Sequence, residues 1–178
     1  MLRRFRREKT AESLARRLYE GTVKRSRAPV FHTGFGVADS IDGRFDLLVL
    51  HLYLVLDRLR EEGEAGTELA GALTTLAFAA FEDALRELGV GDMGMARRVK
   101  AMANAFYGRL DAYLAAGDGE YELAAAVQRN LYRGNERRTL ESASIAHYIV
   151  SVRHWLRAAG TSENLLKGIV DFGPLPQV

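Results

Sequence analysis

The sequence predicts an all-α protein, a compact single-domain bundle of six to seven helices. Three observations predict it. The only prolines stand at 29, 174 and 176, so residues 30 to 173 contain no proline breaker. No segment alternates polar and apolar side chains over the length of a strand. Several long stretches instead repeat apolar residues at steps of three and four, the spacing of one helical face. With 178 residues, 48% of them apolar, the chain is long enough for one real core but not comfortably for two.

The elements follow in order. A first helix is predicted from Thr10, as N-cap, to Lys24, with Leu14 and Leu18 inward. An irregular loop from Ala28 to Ser40 carries Phe31, Phe35 and Val37, and Asp42-Gly43 reads as a turn. The next helix runs from Arg44 to Glu62. Its middle is apolar on every side, which predicts a central, buried position. After a turn at Gly63 to Gly66 comes a helix from Thr67 to Leu88, then a turn at Gly89 to Gly94 and a helix from Met95 to Ala116. Further helices are predicted at Gly119 to Tyr132 and at Leu140 to Ala159. The latter has an inward stripe of Ile145, Tyr148, Ile149, Val152, Trp155 and Leu156. A short helix at Ser162 to Val170 leads into a proline-containing tail.

Charge divides the chain. Residues 1–27 hold ten Lys or Arg against three Glu, a balance of +7, and with a net charge of +2 the rest carries −5. A basic arm over residues 1–10, with Arg3, Arg4, Arg6 and Arg7, is expected to touch a polyanion, either anionic lipid or RNA. Leu2 and Phe5 among those arginines make a small amphipathic wedge that suits a membrane surface. No apolar stretch follows the basic start, so a secretory signal is not expected. The longest apolar run, Leu47 to Leu56, is ten residues interrupted by His51, half of what a spanning helix needs. The absence of cysteine excludes a disulfide framework and a thiolate metal cage.

Motifs for catalysis are weak. Gly89-Val90-Gly91-Asp92-Met93-Gly94 matches the dinucleotide-binding pattern literally, but a helix precedes it and Asp92 stands where phosphates would lie, so it reads as a turn. Arg97, Arg98 and Lys100 follow, either as an exposed basic face or as an anion site. His147 and His154 are two helical turns apart, about 10 Å, too far to share a metal. His51 reads as a hydrogen-bonded core histidine. No catalytic residue, metal site or cofactor is expected, and no DNA partner. The aromatic residues Phe31, Phe35, Tyr53, Tyr107, Tyr121 and Tyr132, with Met93, Met95 and Met102, as a group point to a recognition protein for hydrophobic partners, while core packing is the more ordinary fate of any one of them.

Three segments together resemble the ubiquinol–cytochrome c chaperone family, chiefly its alphaproteobacterial members. They run from Ala28-Pro29-Val30-Phe31 through Asp42-Gly43-Arg44-Phe45-Asp46 to Leu50-His51, from Glu87 to Arg109, and from Arg129-Asn130-Leu131-Tyr132 to Arg133-Gly134. Mild departures are Ala38, Ser40, His32 and Asn104, where Pro, Thr, Tyr and Glu are usual. The resemblance covers about residues 12–135. This divides the chain into the arm, a family-like helical chaperone domain over 11–135, and C-terminal helices and tail over 136–178 packed on the same domain.

The resemblance implies an assembly chaperone for the cytochrome bc1 complex that binds newly made cytochrome b. It acts at the membrane, with the ribosome or a small partner protein as further contacts. It also implies a bacterial cytoplasmic protein peripheral to the inner membrane. The expected recognition surface has Arg44, Phe45, Asp46 and His51 on one side and Arg97, Arg98, Lys100, Tyr107 and Arg109 on the other. Arg44 and Asp46 are alternatively an ion-pair network, and Gly43 and Gly108 close packing positions. Two rival readings remain: a ribosome- or RNA-associated adaptor, and a haem- or small-molecule-binding helical protein using His51.

Overall fold

The computed structural model describes residues 2–158 and 161–177, and the side chains of residues 10–158, 161 and 163–177. The helices are α1 (Leu2–Ser26), α2 (Val30–Thr33), α3 (Ile41–Leu59), α4 (Gly63–Glu87), α5 (Asp92–Ala116), α6 (Glu120–Asn130), α7 (Thr139–Arg157) and α8 (Thr161–Leu166). A single 3-10 turn, Glu136–Arg138, leads into α7. No strand occurs among the described residues, and none of their helices is long and apolar enough to cross a membrane.

Helix α3 is the axis of the molecule. Thirteen of its nineteen residues are buried, as all-round apolarity requires. Helices α1, α4, α5 and α7 pack around it, α1 also lies along α4, and α6 forms an antiparallel pair with α7. One core runs through all of them, from Leu18 on α1 to Ile149 on α7 and Phe172 in the tail.

Several expected boundaries move. Helix α1 is continuous from Leu2, so Thr10 lies inside it and is not an N-cap. Asp42-Gly43 is the first turn of α3 and not a preceding turn, because the Ser40 hydroxyl accepts from the Gly43 N–H at 3.1 Å and caps the helix one turn earlier. The Gly63–Gly66 segment is likewise helical. The Ala28–Ser40 loop contains the short α2, which sinks Phe31 into the core. Trp155 points sideways, 43% exposed, with its ring against Gly173 of the tail.

Candidate partner-binding site

The segment before α3 is pinned from two sides. The Tyr132 hydroxyl donates to the Phe35 carbonyl at 2.8 Å, and the Arg138 guanidinium packs where a Cβ on Gly36 would sit. With Ser40 thus held as cap, the first turns of α3 present Arg44, Phe45 and Asp46 in fixed directions. Arg44 turns outward and pairs with Asp39 at 2.7 Å. Asp46 turns inward and is 1% exposed. The expected Arg44–Asp46 network therefore separates into two.

Two cations meet the buried carboxylate, Arg109 from α5 at 2.7 Å and Arg133 from the turn after α6 at 2.8 Å. The distances are those of ion pairs, but neither carboxylate oxygen gains an aligned hydrogen bond. Burial pushes the Asp46 carboxyl up to about 6, the two guanidinium charges opposing it. At neutral pH it is ionised. The Arg109 side chain also donates to the Ala105 carbonyl at 2.9 Å and lies 5.5 Å from the Phe45 ring centre, a cation–π contact. Buried polar atoms without an aligned hydrogen bond extend to Arg109 Nε, the Tyr113 hydroxyl and Asn130 Nδ2.

Phe45 begins an aromatic band that leads to the surface. It meets Phe81 edge-on at 5.3 Å, Phe81 meets Phe78 at 5.7 Å, and Tyr107 stacks on Phe78 at 5.9 Å. Tyr107 is half exposed. Ile41, Leu88 and Met93 are also exposed, at the start of α3, the end of α4 and the start of α5. Further toward the start of α5, Arg97, Arg98 and Lys100 are exposed and form no ion pair among the described residues. They stand nine to twelve residues before Arg109, roughly 14–18 Å along the helix axis. The predicted set thus divides into a buried cluster of Asp46 and Arg109, an exposed Tyr107 and a separate exposed basic stretch of Arg97, Arg98 and Lys100.

His51 belongs to neither group. It is fully buried on α3, its Nδ1 facing the Leu47 carbonyl at 2.7 Å and its Nε2 the Tyr148 hydroxyl at 3.0 Å. A carbonyl only accepts, so Nδ1 carries the proton and Nε2 accepts from Tyr148. The Tyr148 hydroxyl in turn accepts from Arg25 Nε at 3.0 Å. Desolvation lowers His51 to about 4 and keeps it neutral. Both ring nitrogens are engaged, so a haem reading through His51 loses its ligand, and His51 touches no partner surface. Among the described residues, no group of three or more His, Asp or Glu is placed to hold a metal ion.

Several other expectations change. Phe31, Phe35, Tyr53, Tyr132 and Met95 are core residues, which leaves Tyr107, Tyr121 and Met93 outside. Gly43 does pack closely, since a Cβ there would stand 2.0 Å from the Ala38 carbonyl oxygen, but a Cβ at Gly108 would meet nothing within 4 Å beyond its own helix. The side chains of Arg3, Arg4, Arg6 and Arg7 lie outside the described residues. Sequence reasoning missed Arg133 as a site residue, although it stands inside one of the family segments.

A model of the ubiquinol-cytochrome C chaperone family matches residues 33–172. The chain belongs to the ubiquinol–cytochrome c chaperone family. The match continues well past residue 135, where the resemblance was expected to end, and takes in α7, α8 and Phe172. A crystal structure described as the Cbp3 homolog from Brucella abortus superimposes with a TM-score of 0.84 and 35% identity, covering 97% of this chain and 96% of that one. The ubiquinol-cytochrome c reductase complex assembly factor 1 of Mus musculus is 23% identical over 165 residues, and that of Homo sapiens 22%. In both cases 90% of this chain is covered but only 55% and 54% of the relative. The chain spans about half the length of these curated relatives. The three segments that carry the sequence resemblance meet at one place in the fold. Asp46 from the first, Arg109 from the second and Arg133 from the third form the buried ion-pair cluster.

Proposed function

We propose that this protein is an assembly chaperone for the cytochrome bc1 complex that holds newly made cytochrome b at the membrane surface. It acts by binding alone, without a reaction of its own. The observation that carries this reading is the convergence of the three resembling segments on the Asp46 cluster, with Tyr107 exposed two residues before Arg109 on α5 and Arg97, Arg98 and Lys100 exposed nearer the start of that helix. Tyr107 and the apolar side chains near it would cover apolar client surface. The unpaired cations would engage client carboxylates or haem propionates, with little desolvation cost because they remain at the rim. Asp46 and His51 serve from inside, the first by holding Arg109 and Arg133 and the second by fixing α3 to α7.

The basic start of α1 supports a place at the inner membrane of a bacterium. Each Lys or Arg near an anionic surface contributes about 1 kcal/mol, so Arg3, Arg4, Arg6 and Arg7 give reversible attachment. The ribosome or a small partner protein would then be met at the same surface.

Affinity capture with the tagged protein from solubilised host membranes, read by mass spectrometry, tests the reading. Enrichment of cytochrome b is the expected result, lost in an Arg97/Arg98/Lys100→Ala variant with unchanged circular dichroism. Recovery of ribosomal proteins without cytochrome b would replace this reading with the RNA-linked adaptor.

A further inference from the structure

Arg133 is held at a conformational cost. Among the described residues it is the only non-glycine with a positive φ, 57°, a backbone conformation unfavourable by roughly 1–2 kcal/mol for a residue with a Cβ. Gly134 beside it is also left-handed, and its N–H closes the end of α6 by donating to the Gln128 carbonyl at 2.9 Å. Glycine at 133 would remove the strain, so the guanidinium must return something. Inside the molecule it meets Asp46 at 2.8 Å and Asp42 at 3.6 Å. Yet its side chain remains 53% exposed, against 11% for Arg109.

The two cations on Asp46 are therefore unequal. Arg109 is fixed from behind by the Ala105 carbonyl and the Phe45 ring. Arg133 stands at the mouth, on a turn, with the exposed Asp42 as its second partner at 3.6 Å. Arg129 and Arg137, four residues to either side, are exposed and form no ion pair among the described residues. Arg129 ends α6 and Arg137 lies in the 3-10 turn, so both stand on the segments that flank Arg133 in the chain. Of the two carboxylates on Arg133, Asp42 is itself at the surface, 82% exposed, and Asp46 is too deep for a partner to reach first.

We propose that Arg133 is a partner-binding cation and Asp46 its internal stand-in for an acidic segment of the bound protein. A partner carboxylate takes the Asp46 place on Arg133, flanked by Arg129 and Arg137, while Arg109 keeps Asp46 paired. The exchange trades one ion pair for another, so the internal pair lowers the apparent affinity by the fraction of time it is closed. A basic partner is disfavoured because the rim is cationic and Asp46 lies behind it. The proposal rests on the reading of this end as the client surface.

The test uses the full chain and a fluorescein-labelled peptide of alternating leucine and glutamate, with its glutamine counterpart as control, read by fluorescence anisotropy. The glutamate peptide binds and the glutamine peptide does not. Arg133→Gln weakens binding about tenfold, the worth of one charge-assisted pair, and Asp46→Asn strengthens it several-fold by neutralising the competitor. Unchanged affinity in Arg133→Gln, or no gain in a folded Asp46→Asn protein, overturns the proposal. Should Asp46→Asn not fold, the Arg133 Nε–Hε resonance of the ¹⁵N-labelled wild type decides: it moves on titration, and a fixed resonance overturns. Binding of an oligouridylate instead of the peptide, lost in Arg133→Gln, overturns it in favour of RNA. Full capture of cytochrome b by Arg133→Gln overturns the stand-in but leaves the chaperone reading. Peptide binding that follows these variants in a protein that captures no cytochrome b does the reverse.

Discussion

Asp46 and His51 stand five residues apart on α3, both buried, and burial moves their charge states in opposite directions along the pH scale. Asp46 is raised from 3.8 to about 6, so between those values the folded state binds its proton and the unfolded state does not. Its contribution to stability is therefore present below pH 3.8 and is lost as pH rises through 6. His51 is lowered from 6.5 to about 4, so there the unfolded state binds the extra proton. Its contribution is present above pH 6.5 and is lost as pH falls through 4. The two slopes oppose each other, and thermal stability of the wild type should change little with pH between them. Asp46→Asn leaves the His51 slope alone, and its Tm should rise with pH from 4 to 6.5 more steeply than that of wild type, which a calorimetric pH series measures. Tyr148→Phe should cost about 1–3 kcal/mol in urea unfolding, because it strands His51 Nε2 and takes the acceptor from Arg25 Nε. The core histidine was legible in the sequence, since only a hydrogen-bonded one tolerates that apolar run. The joining of Asp46 to Arg109 and Arg133 was not, because residues so far apart in the chain leave no local pattern.

Helices were legible by their apolar spacing, and their ends were not where glycine stood. Gly43 and Gly66 read as turn residues because glycine costs a helix interior up to about 1 kcal/mol. Close approach of the preceding turn overrides that penalty, since a Cβ at either position would stand 2.0 Å from a carbonyl oxygen, of Ala38 or of Leu59. Gly108 has the opposite surroundings, mid-helix on α5 with nothing within 4 Å. Gly108→Ala should therefore stabilise the protein by about 0.5–1 kcal/mol, while Gly43→Ala should lower Tm sharply and fray the start of α3. Differential scanning fluorimetry and amide exchange over residues 41–46 check the pair. The C-terminal tail is an element of a different kind, tied by side chains alone. Arg25 donates to the Gly173 carbonyl at 3.0 Å, approaches those of Phe172 and Pro174, and lies over the Tyr148 and Phe172 rings. Arg25→Ala should raise amide exchange across 171–177 while leaving α4 and α5 protected.

At the scale of the molecule, α3 carries two charged clusters with different expected uses. Asp46 near its start serves the candidate site. Asp57 near its end, about 16 Å further along the axis, joins Arg153 at 3.1 Å, and Arg153 also meets Asp118 at 2.8 Å. Arg157 closes this second network by pairing with Glu61 at 2.7 Å and Asp57 at 3.4 Å. It locks α3, α7 and the α5–α6 turn together, and its cations Arg153 and Arg157 are already paired with carboxylates, so its work is structural although Tyr121 and Trp155 are exposed near it in the chain. Arg153 is buried, and its removal leaves Asp57 in a mostly dry setting with half its pairing, a loss of about 1–3 kcal/mol. Arg153→Ala should accordingly lower Tm by several degrees and leave cytochrome b capture intact at a temperature where the variant is folded. The Arg97/Arg98/Lys100→Ala variant should do the opposite, with Tm within a degree or two of wild type and capture lost, because exposed unpaired cations add little to stability. Measured side by side, the two variants separate holding the fold from holding a client. Loss of capture in folded Arg153→Ala would place the client surface at the other end of α3.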